Sequence, residues 1–230
     1  MIQVAMLLYE GFTTLDLTGP LEVLRRLPGE TMPSQGADVR LVAKTLEPVQ
    51  ADTPSVRLLP TDVLTDVPRP DVLLVPGGFE GTVNAMYDRE VLAWLREAHA
   101  HSTFTTSVCT GSLILGAAGI LEGLSATTHW LAQDVLPRFG AAYVPERYVR
   151  AGKVVTAAGV SAGIDMALFL AGELKGSFVA EAIQLGMEYD PRPPFDAGSP
   201  GTAPPEASAL FARMGERLEQ LVNDRSQNIA

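Results

Sequence analysis

The chain has 230 residues, 47% hydrophobic and 19% charged, a balance that fits one compact domain with fully buried strands and excludes a disordered chain. A formal net charge of -10 without any Lys/Arg cluster argues against a nucleic-acid partner, whose phosphates need a basic face. One cysteine excludes an intramolecular disulfide, and three histidines beside it offer no metal-ligand spacing.

The opening MIQVAMLLYE has neither a basic n-region nor the apolar length of a secretory signal, and no stretch is apolar enough for a membrane span. A cytoplasmic protein without a membrane partner is expected. Residues 2–8, IQVAMLL, read as a strand buried on both faces in a parallel sheet. A loop over 9–14 and the run LDLTGP at 15–20 then lead into a helix over 21–27, with positions 21, 24 and 27 on one face. Asp16, just ahead of that helix, reads equally as an N-cap and as a functional carboxylate, because the loop after a first parallel strand opens at the carboxyl edge.

Residues 37–45 form a second strand, and the Pro- and Asp-rich run 48–70 reads as loops with a short strand at 55–58. A third buried strand, 71–75, ends in Pro76-Gly77-Gly78. A glycine pair there can turn backbone amides toward a ligand as an oxyanion hole, or serve simply as a turn. Residues 88–101 make an amphipathic helix with Val91, Leu92, Leu95 and Ala98 inward and His99 and His101 at its solvated end.

The stretch 104–119, FTTSVCTGSLILGAAG, carries the chemistry. Its β-branched first half is a buried strand and its second half a packed helix, so Cys109 and Thr110 form the joint. A nucleophile on such a turn points out of the sheet, and Gly111 allows the close backbone approach a tight elbow needs. The amide end of the following helix favours an anion, so the thiol is expected to lose its proton more readily than a free one. The bland alternative is an inert buried cysteine.

Farther on, 125–128 is a short strand, and His129 opens a helix to about 136; this histidine could be a base near Cys109 or a packed structural group. Residues 143–150 and 153–158 form a strand pair turning at Ala151-Gly152, followed by helices over 161–174 and 178–187. The run 190–205, DPRPPFDAGSPGTAPP, reads as a surface arm, and 206–222 as a last amphipathic helix before a frayed tail over 224–230.

LDLTGP, VPGG at 75–78, TSVCTGSLILGAAG at 106–119, ATTHW at 126–130 and PPFDAGSPGTAP at 193–204 together resemble the DJ-1/PfpI superfamily, over residues 2 to about 220. Within it the pattern is most similar to the isocyanide hydratases. The resemblance implies a flavodoxin-like, doubly wound, mostly parallel α/β sheet in a single domain, a homodimer, an isocyanide as small-molecule substrate, and no metal or organic cofactor. It also implies Cys109 as nucleophile, Asp16 as essential carboxylate, Thr110 as an active-site hydroxyl and Gly78, beside Gly77, as an oxyanion-hole amide. Peptidase-type members carry His directly after the nucleophile, where this chain has Thr110. Another cysteine-dependent enzyme on the scaffold, glyoxalase-like or amidase, and a non-enzymatic sensor oxidised at Cys109 stay open as alternatives. Related domains also occur in AraC-type regulators.

Overall fold

Apolar, β-branched runs set the centre of the molecule. The computed structural model describes residues 1–29 and 36–227, and in it these runs become β1 (Ile2–Leu7), β2 (Ala37–Ala43), β6 (Val72–Val75), β7 (Phe104–Val108) and β11 (Val154–Ala157). Shorter pieces are β3 (Val49–Gln50), β4 (Arg57–Leu58), β5 (Asp62–Val63), β8 (Ser125–Ala126), β9 (Ala142–Tyr143) and β10 (Tyr148–Ala151). The main sheet has the order β10-β11-β7-β6-β1-β2-β5 and is parallel except for the β10–β11 hairpin. β6 and β7 are buried at every residue, as strands covered by helices on both faces should be.

The helices are α1 (Thr14–Leu24), α2 (Phe79–Ala85), α3 (Arg89–His101), α4 (Gly111–Ala117), α5 (Ala162–Lys175), α6 (Ser177–Gly186) and α7 (Pro205–Gln227). α1 packs with α5, while α4 meets both α2 and α3. From β1 the chain first moves outward to β2 and then returns through β6 to β7 and β11, so the strand order reverses between β1 and β6. In an open parallel sheet the crevice at the carboxyl ends of the strands flanking such a reversal is where ligands sit. Asp16 follows β1, Gly77 follows β6 and Cys109 follows β7, so the topology brings all three to one edge.

Several boundaries differ from the sequence expectation. α1 begins at Thr14 and carries Pro20 inside it, because burial of Leu17, Gly19 and Pro20 outweighs the helix-breaking propensity of the sequence. Asp16 is therefore in the first turn of a helix rather than ahead of one. The strand expected at 55–58 narrows to β4, paired with β3. The helix expected after His129 is two short 3-10 turns, Trp130–Ala132 and Leu136–Phe139, with Pro137 fixing the start of the second. α2 has no counterpart in the sequence reading. α7 continues through 224–227, where fraying was expected; the rest of that tail, 228–230, lies outside the described residues.

Candidate active site

Cys109 occupies the turn between β7 and α4 with a φ of 57°, a left-handed conformation that side chains other than glycine rarely adopt. It is held from both sides. Its amide donates to the carbonyls of Ala157 (3.1 Å) and Ala158 (2.9 Å), and its carbonyl accepts from Ser112 Oγ (3.2 Å) and Thr128 Oγ1 (3.1 Å). Such strain costs on the order of 1–3 kcal/mol and persists only where surrounding bonds over-determine it. The turn can be this tight because residue 111 is glycine: a Cβ there would stand 2.2 Å from the Val75 carbonyl oxygen.

Asp16 is fully buried beside it. The helix N-cap is Thr13, whose hydroxyl donates to Asp52 Oδ2 at 2.7 Å, so Asp16 does not cap α1. Its Oδ2 accepts the Gly77 amide at 2.9 Å, while Oδ1 has no nitrogen or oxygen partner among the described residues. Burial pushes the Asp16 carboxyl up to about 7, against the opposing pull of the Gly77 amide and of a hydrogen bond from the Cys109 thiol.

The thiol moves the same way. Burial first, and the neighbouring Asp16 charge second, push it well above its ordinary value; the amides of Thr110 and Val160 and the Thr110 hydroxyl pull back without prevailing. This corrects the expectation of an acidified cysteine. The amide end of a seven-residue helix is a weaker influence than the loss of water around a cysteine that is 7% exposed beside a carboxylate. Burial thus pushes both groups toward their neutral forms.

Thr110 lies next to this pair with its Oγ1 accepting the Gly78 amide at 3.1 Å and hydrogen-bonded to Thr82 Oγ1 at 2.8 Å. Both amides expected as an oxyanion hole are therefore engaged by side chains: Gly77 by Asp16 and Gly78 by Thr110. The glycines also leave room for them. A Cβ at residue 77 would meet Thr110 N and Oγ1 at 2.7 Å and Asp16 Oδ2 at 2.8 Å.

His129 is held by the turn that follows it. Its Nδ1 accepts the Leu131 amide at 3.2 Å, which leaves the proton on Nε2, and burial holds its pKa below the ordinary value. It stacks on Trp130 and, with Thr128, Tyr143 and Val160, lines a cavity of about 740 Å³ closed on one side by residues 198–201 of the surface arm. That cavity adjoins Cys109 through Thr128, bonded to its carbonyl, and Val160, whose amide reaches the sulfur. Val160 has a φ of 29°, a second strained residue at the same edge. Neither it nor Thr82 carries a sequence signal. Among the described residues no three His, Cys, Asp or Glu side chains converge as metal ligands.

A parallel α/β sheet with a lone cysteine in a strained strand-to-helix turn, facing a buried carboxyl from the first helix, defines a cysteine-centred class within doubly wound proteins. The chain belongs to the DJ-1/PfpI family, which residues 2–173 match. It is 48% identical over 203 residues to the isonitrile hydratase of Pseudomonas putida, covering 88% of this chain and 85% of that protein. A Parkinson disease protein 7 homolog of Danio rerio is 29% identical over 182 residues, 77% of this chain and 92% of the relative. The crystal structure of a ThiJ/PfpI family protein from Pseudomonas syringae superposes with a TM-score of 0.89 at 41% identity, covering 96% of this chain and 90% of that one.

Proposed function

We propose that this protein is an isocyanide hydratase, converting R-NC and water to an N-substituted formamide with Cys109 as nucleophile. The observation that carries the reading is the Cys109 thiol in a strained turn beside the buried Asp16 carboxyl. The 48% identity to a protein named isonitrile hydratase supports the choice of substrate.

The terminal carbon of an isocyanide accepts both a nucleophile and a proton, so the site must supply one of each. Asp16 takes the thiol proton and delivers it to that carbon as the sulfur attacks; the S-H bond breaks, C-S and C-H bonds form, and the product is a covalent thioimidate, R-N=CH-S-Cys109. Water then adds to the same carbon, with Asp16 relaying a proton to nitrogen. Collapse breaks the C-S bond, returns a proton to sulfur and releases R-NH-CHO. No electrons are transferred.

In this scheme Cys109 forms the bond, Asp16 moves the proton and Thr110 hydrogen-bonds the sulfur. Gly77 and Gly78 orient Asp16 and Thr110 rather than offering free donors, and the strand-to-helix turn acts as a nucleophile elbow. The R group enters the cavity lined by His129, Trp130 and Tyr143. The test is incubation of the purified protein with an aliphatic isocyanide, following formamide and the intact protein mass. Formamide production that disappears in Cys109→Ala, with a single adduct on the native chain, is expected. Turnover of methylglyoxal but not of the isocyanide would overturn the substrate assignment, and native rates in folded Cys109→Ala would overturn the nucleophile.

A further inference from the structure

One side of the large cavity is built from residues 198–201, in the middle of the surface arm. Six of the residues 191–205 are proline and lack an amide donor, so the arm cannot knit itself into a regular element. Its own bonds are confined to one turn, where the Thr202 and Ala203 amides donate to the Ser199 carbonyl at 3.1 and 2.8 Å. Among the described residues no hydrogen bond runs from 191–201 to the sheet or to any helix. Nor is the arm close-packed there, because a void of about 130 Å³ lies between it, Trp130 and Phe211 of α7.

The arm is therefore placed by its root. Beyond α6 the amides of Glu188 and Tyr189 donate to the carbonyls of Leu185 (2.9 Å) and Gln184 (3.1 Å), the pattern that ends a helix in a left-handed residue, usually glycine. Here that residue is Glu188, with a φ of 52°. The turn carries Tyr189 against α5, where its hydroxyl donates to Asp165 Oδ1 at 2.9 Å. The other oxygen of Asp165 accepts from Arg147 Nε, and the same guanidinium donates to Ser161 Oγ at 3.2 Å. Arg147 and Ser161 both belong to the cavity wall. One carboxylate thus ties the body's side of the cavity to the residue from which the arm departs, and the reaction scheme uses neither Asp165 nor Tyr189.

We propose that Tyr189 is a positioning residue for substrate specificity: through Asp165 it holds the arm as a wall of the cavity, and so sets the affinity for isocyanides whose R group extends to that wall. A one-carbon R group fills a small part of about 740 Å³ and is indifferent to the arm. A long flat ring system buries apolar surface against it, and a displaced arm returns that surface to water. The choice of substrate rests on the hydratase reading; the placement of the arm does not.

The test has a readout without substrate and one with it. Trp130 lines both the cavity and the void beside the arm, whereas Trp94 is 7% exposed with its indole N-H on the Val67 carbonyl, so a change in acrylamide quenching of fluorescence reports Trp130. Quenching should rise in Tyr189→Phe, which removes only the hydroxyl. The KM for 2-naphthyl isocyanide should rise roughly five- to thirtyfold, the worth of one hydrogen bond to a carboxylate, with kcat unchanged. Methyl isocyanide should keep its native KM and kcat. Asp165→Ala should raise the naphthyl KM as well, and Tyr189→Phe should add nothing in that background. Native quenching in folded Tyr189→Phe, an equal rise in KM for both substrates, or additive effects of the two substitutions would overturn the proposal. Should Asp165→Ala fail to fold, quenching and the two-substrate comparison in Tyr189→Phe decide alone. If the native protein turns over neither isocyanide, the hydratase reading fails, while quenching still decides whether Tyr189 places the arm.

Discussion

The Cys109 thiol hydrogen-bonds toward Asp16, and the Asp16 carboxylate in turn keeps the proton on the sulfur. Each group therefore favours the ionisation state that the other needs for one proton to pass between them. Their titrations are coupled, and any pH-rate profile reports the pair rather than either residue.

Burial of Asp16 has a consequence for stability. Its carboxyl titrates at about 7 in the folded protein against 3.8 in the unfolded chain, so the folded state holds an extra proton between those values. The stabilisation is fully present below the unfolded value and is lost as pH rises through the folded one. Its upper size is about 4 kcal/mol, taking ~1.4 kcal/mol for each pH step between the two values. Asp16→Asn should therefore flatten the decline in Tm between roughly pH 4 and pH 7 that the native protein shows. Equal declines in both proteins would place the effect elsewhere.

The same substitution should move reactivity and turnover in opposite directions. Without the carboxylate charge the thiol ionises at lower pH, so alkylation of Asp16→Asn near neutrality should be faster than native. Isocyanide turnover should fall by about 10²- to 10⁴-fold, because the group that relays the proton is gone. Slower alkylation in the variant would mean that Asp16 activates the sulfur at rest.

The sheet and the site edge were legible because their signals are local. Residues 2–8 are too apolar, and residues 104–108 too short and too rich in β-branched and aromatic side chains, for anything except buried strands, and Cys109 at the end of one is placed by the turn itself. The thiol's acidity was not legible. The helix that follows is visible in the sequence, whereas burial of the sulfur and the approach of Asp16 depend on α1 beginning at Thr14 with Pro20 inside it, a packing outcome that overrides propensity. Thr82 was missed for a similar reason: α2 is only seven residues long, and Gly78 and Gly81 let it lie against Gly11, a packing outcome with no local signal.

Gly77 should tolerate no side chain. A methyl group at that residue would lie 2.7 Å from Thr110 Oγ1 and 2.8 Å from Asp16 Oδ2, forcing both away from the sulfur. Gly77→Ala is expected to lose about 10²-fold or more in kcat, the scale of a displacement near 1 Å in a reacting group. KM should change less, since the cavity that would take the R group is lined by other residues. A native kcat in a folded Gly77→Ala protein would show that the close packing of Asp16 and Thr110 around this amide is not required.

His129 distinguishes a cavity wall from a catalytic base. Its Nδ1 is occupied by the Leu131 amide and its pKa is held down by burial, whereas Asp16 is the carboxyl beside the sulfur. His129→Asn, which can keep an acceptor for that amide, is expected to leave kcat within about threefold of native, because general-base catalysis, worth about 10²-fold or more, is not what is being removed. KM should rise for isocyanides with large R groups, as the stacked His129–Trp130 wall loses its ring. A loss of 10²-fold or more in kcat, together with disappearance of one limb of the pH-rate profile, would transfer the proton-moving role from Asp16 to the imidazole; retention of both limbs keeps it on the carboxyl.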